Sequence, residues 1–318
     1  MNQLHRAAEI AVRKCLAVQS YETVLIITDE GKRKIGYAFW EAAKSLGSEV
    51  ILVEIIPRKR HGEEPPPVIA DMMKKVDVIF APTSKSLTHT DARREASLAG
   101  ARTATLPGIT EDSMVRTLTA DYDRIAKRTN KIASVLTEGS IARVTTPRGT
   151  DITMSISGRQ GLSDTGLFHR KGAYGNLPAG EAFLAPVEGS AKGVIVIDGA
   201  IADTGMVRHP ITLTVKNGLV TEITGKDEAQ MLRSLLEPIG KLAYNIAELG
   251  IGTNDKAILT GNVLEDEKAI GTVHIALGNN VSMGGSINVP IHLDGILLEP
   301  TLTIDDKAVL QNGTLLID

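Results

Sequence analysis

The chain has 318 residues, of which 42% are hydrophobic and 23% charged, and its formal net charge at pH 7 is −3. These values are typical of a globular protein, and they lack the basic surplus that a nucleic-acid-binding surface needs. Because a single hydrophobic core rarely grows beyond about 250–300 residues, the length predicts two domains.

Cysteine usage and hydropathy narrow the class of protein further. The single cysteine of the sequence, Cys15, excludes an internal disulfide framework and a zinc site built from cysteines. The sequence contains no run of about 18 apolar residues, so it predicts no membrane span. Its first residues lack the apolar stretch of a signal peptide. We therefore expect a cytoplasmic protein whose partners include neither nucleic acid nor a membrane.

The first part of the chain alternates β-rich runs with stretches of helical spacing. The predicted strands are Thr23–Asp29, Glu49–Pro57, Val76–Pro82 and Ala101–Gly108, and the last predicted helix of this part spans Asp121–Leu136. Strands that alternate with helices are typical of a parallel sheet covered on both faces. The pattern predicts an α/β domain with a mostly parallel sheet over residues 1–138.

Beyond Gly139 the pattern changes to short alternating strands separated by glycine and proline. Turns between paired strands are predicted at Pro147–Gly149, Lys216–Gly218 and Asn312–Gly313. One predicted helix, Asp227–Gly250, interrupts the strands and carries Glu248 near its end. Residues 139–318 are therefore expected to form a β-rich α+β domain of antiparallel strands.

Five ionisable side chains of this second domain lie in apolar segments, where they are costly unless a charge or a hydrogen bond meets them. His292 and Asp294 are two residues apart, so on a strand they face the same side of the sheet. Imidazoles with carboxylates suit one or two divalent ions of the zinc, cobalt, manganese or iron kind. On the residues alone, His274 is equally well read as a hydrogen-bonded core residue. The five candidates are Glu181, Glu248, His274, His292 and Asp294.

The segment GNLPAGEAFLAPVEGSAKGVIVIDGAI resembles the corresponding segment of the aminopeptidase T / aminopeptidase S family, the thermophilic metalloproteases. AELGIGTN, TVHIALG and IHLDGIL follow in the order of that family's remaining metal-ligand segments. The resemblance implies a metallo-aminopeptidase that releases N-terminal amino acids from a small peptide through a metal-activated water. It assigns all five candidates as ligands of a zinc, cobalt or manganese centre, gives Glu248 the catalytic role on the water, and implies a homodimer or larger homo-oligomer.

The sequence departs from that family at Val281, where the peptidases carry a tyrosine seven residues after the position of His274. A wider resemblance extends to 2,5-dihydroxypyridine 5,6-dioxygenase. It implies that His274, His292 and Asp294 hold Fe(II) with open positions for a small-molecule substrate and oxygen. Fe(II)-dependent ring cleavage is therefore the alternative function.

Candidate substrate-binding residues lie mainly after the strand Val76–Pro82, because ligands of open α/β sheets bind beyond the carboxyl ends of strands. His89 and Arg93 follow that strand and are suited to an anionic substrate. The alternative is that Thr88 or Thr90 caps the next helix and Arg93 is solvated. His169, which closely precedes Glu181, is the third candidate.

Overall fold

The structure, a computed structural model, describes residues 2–202 and 204–317. Within these ranges, no α-helix combines the length and the apolar character needed to cross a membrane. The α-helices of the described residues are α1 (Gln3–Ile10), α2 (Arg33–Lys44), α3 (Pro67–Met73), α4 (Asp91–Ala99), α5 (Glu111–Thr117), α6 (Tyr122–Glu138), α7 (Asp227–Leu236) and α8 (Val263–Asp266).

The strands fall into two groups along the chain, four early strands between helices and a longer series that follows. They are β1 (Thr23–Asp29), β2 (Glu49–Ile55), β3 (Val78–Ala81), β4 (Arg102–Thr105), β5 (Ile141–Thr145), β6 (Asp151–Ser155), β7 (Leu162–Asp164), β8 (Tyr174–Asn176), β9 (Glu181–Leu184), β10 (Lys192–Ile197), β11 (Ala200–Ile201), β12 (Gly205–Met206), β13 (Ile211–Lys216), β14 (Leu219–Thr224), β15 (Ile246–Gly252), β16 (Val273–Gly278), β17 (His292–Leu297), β18 (Thr301–Ile304), β19 (Lys307–Gln311) and β20 (Thr314–Leu315).

The first compact unit, residues 1–123 and 166–179, is built on a five-stranded sheet in the order β2-β1-β3-β4-β8. Every neighbouring pair in this sheet is parallel. Successive side chains of β3 point to opposite faces, so Ile79 packs in one apolar core and Phe80 in the other. The predicted α/β domain with a parallel sheet is confirmed.

The second compact unit, residues 124–165 and 180–318, contains an eight-stranded sheet and a seven-stranded sheet, whose orders are β14-β13-β10-β6-β5-β18-β19-β20 and β12-β11-β17-β16-β15-β9-β7. All of the pairings within them are antiparallel. Both sheets contribute to one hydrophobic core, for example Leu213 from the first and Leu249 from the second. The predicted antiparallel, β-rich second half is confirmed.

The compact units divide the chain differently from the predicted boundary at residue 138. From Arg124 onward helix α6 belongs to the second unit, because Ile132 and Leu136 on its apolar face lie in that unit's core. The segment 166–179 belongs to the first unit because β8 pairs with β4, Thr103 opposite Tyr174 and Thr105 opposite Asn176. A three-residue strand in a glycine-rich loop has too short a pattern to be recognised in the sequence.

The predicted helix Asp227–Gly250 is wrong in its second half. Helix α7 ends at Leu236, shortly before Pro238, and Gly240 has a φ of +95°. Proline has no N–H to donate to a helix, and a positive φ interrupts helical geometry. Residues 246–252 then form β15, which is buried throughout. Glu248 therefore lies on a central strand.

Two of the predicted turns have the geometry that the sequence indicates. Asn217 and Gly218 have φ values of +51° and +74°, and Asn312 and Gly313 have values of +46° and +74°. Two successive residues with positive φ are the mark of a type I′ turn, for which Asn-Gly is the preferred pair. These turns join β13 to β14 and β19 to β20.

Candidate metal centre

Four adjacent strands of the seven-stranded sheet carry the five predicted metal ligands. Glu181 begins β9, Glu248 lies in β15, His274 in β16, and His292 and Asp294 in β17. These strands are neighbours in the order β17-β16-β15-β9. The antiparallel register therefore gathers residues that are up to 113 positions apart in the sequence, from 181 to 294.

The donor atoms form two groups that share Glu248. In one group, Nε2 of His274 lies 3.4 Å from Oε2 of Glu181 and 3.3 Å from Oε1 of Glu248. In the other, Nε2 of His292 lies 3.1 Å from Oε2 of Glu248 and 3.4 Å from Oδ1 of Asp294. Metal bonds of about 2.1 Å at tetrahedral or octahedral angles separate neighbouring ligand atoms by ~3.0–3.4 Å. The spacing of both groups suits a divalent ion.

A glycine on the neighbouring strand makes room for the His274 ring. Gly250 pairs with His274 across β15 and β16, and a Cβ atom at position 250 would lie 1.9 Å from Nε2 of His274. No side chain larger than hydrogen fits there while the ring keeps its position. The AELGIGTN segment thus contributes both a donor, Glu248, and the space that the imidazole occupies.

The tautomer of His292 is set from outside the cluster. Its Nδ1 lies 2.8 Å from the carbonyl oxygen of Asn279, and a carbonyl can only accept, so Nδ1 carries the proton. The Nε2 lone pair of the neutral ring then points toward Glu248 and Asp294. Outer hydrogen bonds of this kind orient metal-binding histidines.

The fit to a cation also rests on an unsatisfied oxygen. Oε2 of Glu181 is buried and has no hydrogen-bond partner among the described residues, although it faces Nε2 of His274. A buried carboxylate oxygen without a partner is costly. A divalent ion held between Glu181, Glu248 and His274 would satisfy it, so the residues present fit a metal.

The histidines and carboxylates of the cluster shift one another's pKa values strongly when no ion is bound. Burial lowers the pKa of His274, but the hydrogen bond to Glu248 and the charges of Glu181 and Asp294 outweigh it and raise that pKa to about 9. Burial also lowers the pKa of His292, but Asp294 and Glu248 outweigh burial and raise that pKa well above its usual value. The imidazolium rings in turn keep the pKa of Asp294 low against burial. Metal binding must therefore displace protons.

A lysine that the sequence did not suggest completes the cluster. Lys268 is 1% exposed, and its Nζ lies 2.6 Å from Oε1 of Glu181 and 2.5 Å from Oε1 of Glu267. Burial raises the pKa of Glu267 to about 8, although Lys268 opposes the shift. Lys268 fixes Oε1 of Glu181, so that Oε2 of the same carboxylate faces His274. The run EDEK looks like a solvated charged stretch in the sequence, and no signal there identifies this lysine.

The three predicted substrate-binding residues lie in the first unit, whereas the five donors lie in the second. His89 and His169 are exposed, and Nε2 of His169 lies 2.8 Å from the carbonyl oxygen of Lys14. Thr90 caps helix α4, since its Oγ1 accepts from the backbone N–H of Arg93 at 3.2 Å. The alternative that Arg93 is solvated is wrong, because only 4% of the residue is exposed.

Comparison with known proteins gives one family and two similar structures. The model of the family described as "NicX: 2,5-dihydroxypyridine 5,6-dioxygenase" matches residues 3–317. The 2,5-dihydroxypyridine 5,6-dioxygenase of Pseudomonas putida KT2440 is 26% identical over 213 residues, which cover 63% of this chain and 60% of that protein. The aligned region thus spans less than two thirds of the curated relative.

The similar structures agree in fold over nearly the whole chain. The structure of 2,5-dihydroxypyridine dioxygenase from P. putida KT2440 has a TM-score of 0.84 at 22% identity and covers 99% of this chain and 98% of its own. Wild-type AmpT from Thermus thermophilus has a TM-score of 0.75 at 18% identity and covers 99% of each chain. The predicted resemblance to aminopeptidase T is confirmed for the fold. Since the family model spans residues 3–317, the chain belongs to the NicX family, described as 2,5-dihydroxypyridine 5,6-dioxygenase.

Proposed function

We propose that the chain is an Fe(II)-dependent dioxygenase that opens a dihydroxylated nitrogen-containing aromatic ring of the 2,5-dihydroxypyridine type. The observation that carries the proposal is the family match over residues 3–317. The curated relative carries the same activity in its name. The alternative function expected from the sequence is thus better supported than the main prediction, an aminopeptidase.

In this proposal His274, His292 and Asp294 hold the iron, which requires the two donor groups to draw together on binding, because His274 belongs to one group and His292 and Asp294 to the other. Two imidazoles and one carboxylate are the usual protein ligands of non-haem Fe(II), and the cluster offers two Nε2 atoms and a carboxylate oxygen around Glu248. A bound Fe(II) would supply the activation of oxygen that ring cleavage requires. The side chains of His274, Glu181, Glu248 and Asp294 are 0–13% exposed and that of His292 is 31% exposed, so the centre is open to solvent on the His292 side.

Glu248 and Glu181 have positioning roles in the proposal. Each carboxylate oxygen of Glu248 faces one imidazole, at 3.3 Å and 3.1 Å. Hydrogen bonds from both histidines hold the pKa of Glu248 down against burial, so it remains a carboxylate that orients both rings. Glu181, fixed by Lys268, faces the same ring nitrogen of His274 at 3.4 Å and limits its movement.

A metallo-aminopeptidase is the second candidate, and one observation favours it. Glu248 directs one oxygen to each of two groups of three donors, the arrangement of a carboxylate that bridges two ions in hydrolytic enzymes. AmpT shares the fold. Against this candidate stands Val281, which supplies no hydroxyl where the resemblance requires a tyrosine and is 48% exposed.

An oxygen-uptake assay tests the proposal against this candidate. Protein stripped of metal by a chelator is reloaded without air with Fe(II), Zn(II), Co(II) or Mn(II). We expect oxygen consumption with 2,5-dihydroxypyridine in the Fe(II) sample and no hydrolysis of an aminoacyl amide in any sample. Amide hydrolysis without oxygen consumption would overturn the proposal in favour of the aminopeptidase.

A further inference from the structure

A buried positive charge without a carboxylate partner lies at one edge of the parallel sheet. Arg93 in α4 is 4% exposed. Among residues 2–202 and 204–317, no carboxylate oxygen lies within 4.0 Å of its guanidinium, whereas the other well-buried arginine of this unit, Arg102, pairs with Glu22 at 2.8 Å. A buried charge is stable only when an opposite charge or hydrogen bonds compensate it. The charge of Arg93 is therefore met by neutral hydrogen-bond partners and an aromatic ring, without an anion.

The guanidinium of Arg93 is held in a fixed orientation. Its Nε donates to the carbonyl oxygen of Thr88 at 2.7 Å, and its Cζ lies 3.6 Å from the centroid of the Tyr174 ring. The Tyr174 side of this arrangement opens to solvent, because Tyr174 is 46% exposed. The guanidinium also hydrogen-bonds to the Tyr174 side chain. A guanidinium has five N–H groups, so after this contact and the Nε bond further terminal N–H groups are left to recognise a ligand.

A chain of hydrogen bonds fixes the backbone that holds Arg93. Oγ1 of Thr88 accepts from Ser86 Oγ at 2.8 Å and lies 2.7 Å from Oγ1 of Thr105. Nδ2 of Asn176 donates to both threonines, at 3.1 Å and 2.9 Å. Thr105 and Asn176 end β4 and β8, and Ser86 and Thr88 follow β3. This is the carboxyl edge of the sheet, where open α/β proteins bind ligands.

The charged and N–H groups of α4 next to Arg93 are already paired. The first N–H groups of α4 are occupied, because the carboxylate of Glu64 accepts from Asp91 N at 2.6 Å and from Ala92 N at 3.1 Å. Arg94 pairs with Asp91 and donates to the carbonyl oxygen of His89. The charge of Arg93 therefore remains without a carboxylate partner, and the helix N-terminus on which phosphate sites rely is already occupied.

We propose that Arg93 is a binding site for a small monocarboxylate at the carboxyl edge of the parallel sheet. A planar carboxylate matches the guanidinium fork with two parallel hydrogen bonds. Its single negative charge balances the single uncompensated positive charge, which a phosphate dianion would exceed. The proposal concerns the first unit alone and does not depend on the chemistry of the metal centre.

Benzoate titration of the full-length, metal-free protein tests the proposal. Because Thr88 holds the Nε–H of Arg93, its ¹H–¹⁵N signal reports binding at this side chain, and the Arg93→Lys variant assigns it. We expect a saturable shift with benzoate. By calorimetry, Arg93→Lys should weaken benzoate binding at least about tenfold, since lysine lacks the fork, and Arg93→Gln should abolish it. The matched control Arg94→Gln on the same helix should bind like the wild type.

Three outcomes would overturn the proposal: equal benzoate binding by the wild type and Arg93→Gln, loss of binding in Asp294→Asn, which would place benzoate in the metal centre, and tighter binding of inorganic phosphate than of benzoate. Thermal melts of every variant monitor folding. If Arg93→Gln does not fold, the comparison of Arg93→Lys with the wild type decides, because lysine retains the charge.

Discussion

Glu248 is the residue at which the two candidate chemistries separate. Under the dioxygenase proposal, Glu248→Gln removes the charge that orients both imidazoles, and we expect Fe(II) affinity to fall by about 10–100-fold while turnover at saturating Fe(II) falls less than about tenfold. A hydrolase that uses Glu248 as its base would lose about 10²–10⁴ in turnover at any metal concentration.

Calorimetric Fe(II) titration and oxygen uptake measure the two quantities in the same preparation. His209→Ala is the control, because His209 lies in the same unit, is partly exposed and pairs with Glu228. Turnover loss of a hundredfold at saturating Fe(II) would contradict the positioning role.

The two histidines make the metal-free protein sensitive to alkali. His274 has a pKa raised to about 9 in the folded protein, against about 6.5 in an unfolded chain. The stabilisation is then fully present below about pH 6.5 and is lost as the pH rises through about 9. Glu267, with a pKa raised by burial to about 8, changes stability in the same direction. We expect the urea midpoint of metal-free protein to fall from pH 6.5 to pH 9.5.

Metal-loaded protein is the internal comparison for this pH dependence. Ligation requires neutral imidazoles, so metal binding strengthens as the pH rises, and the loaded protein should keep its urea midpoint over the same interval. A metal-free protein whose midpoint is constant or rises toward pH 9.5 would show that the histidines are not protonated in the folded cluster.

At the level of elements, strand β15 depends on a residue without a side chain. Gly250→Ala would bring a Cβ to 1.9 Å from Nε2 of His274, so the ring must leave its position and the metal centre loses a donor. We expect metal uptake, measured by elemental analysis, to fall by about tenfold or more. Gly31→Ala in the other unit is a control for a glycine-to-alanine change with milder crowding, where the nearest atom is Oγ of Ser84 at 2.9 Å. Full metal occupancy in Gly250→Ala would contradict the close fit.

The sequence predicts the strands of this centre unevenly. The spacing of His292 and Asp294 predicts a shared face because side chains of a strand alternate, and β17 has that geometry. The same reasoning fails at Glu248, because the apolar residues around it fit helical and extended spacing alike, and only Pro238 and Gly240 indicate the break. Short apolar runs are ambiguous between helix and strand.

The run EDEK shows a second limit of sequence patterns. Glu265 accepts from the backbone N–H of Ile258 at 2.9 Å, and Asp266 accepts from Thr260 N at 2.7 Å. Lys268 is buried against Glu181. Consecutive charges usually indicate a solvated surface. Here the carboxylates accept from backbone N–H groups of the preceding loop, and the lysine pairs with a glutamate that is remote in sequence. Such partners depend on tertiary structure and leave no local signal.

For the whole molecule, alternation of strands and helices predicts the parallel sheet, and the change of pattern after Gly139 predicts the antiparallel sheets. The resemblance to the aminopeptidase T / aminopeptidase S family predicts the metal centre as well, since the segments around Glu181, Glu248 and His274 follow one another in the order of that family's metal-ligand segments. A homodimer or larger homo-oligomer remains a prediction, and light scattering coupled to size-exclusion chromatography checks it. The symmetry expected for such an assembly is a two-fold axis.

The strand β8 has a consequence for how the chain is made. Its residues, Tyr174–Asn176, follow the whole β5–β6 pair, which belongs to the second unit. A ribosome therefore releases residues 124–165 before the parallel sheet has its fifth strand, although domains usually fold in order of synthesis. Until then β4 is an open edge of the sheet. Arg93 also lacks the Tyr174 ring on which it stacks, and Thr88 and Thr105 lack their hydrogen bonds from Asn176. A gene cut after residue 138 would encode a nascent sheet that lacks its outermost strand.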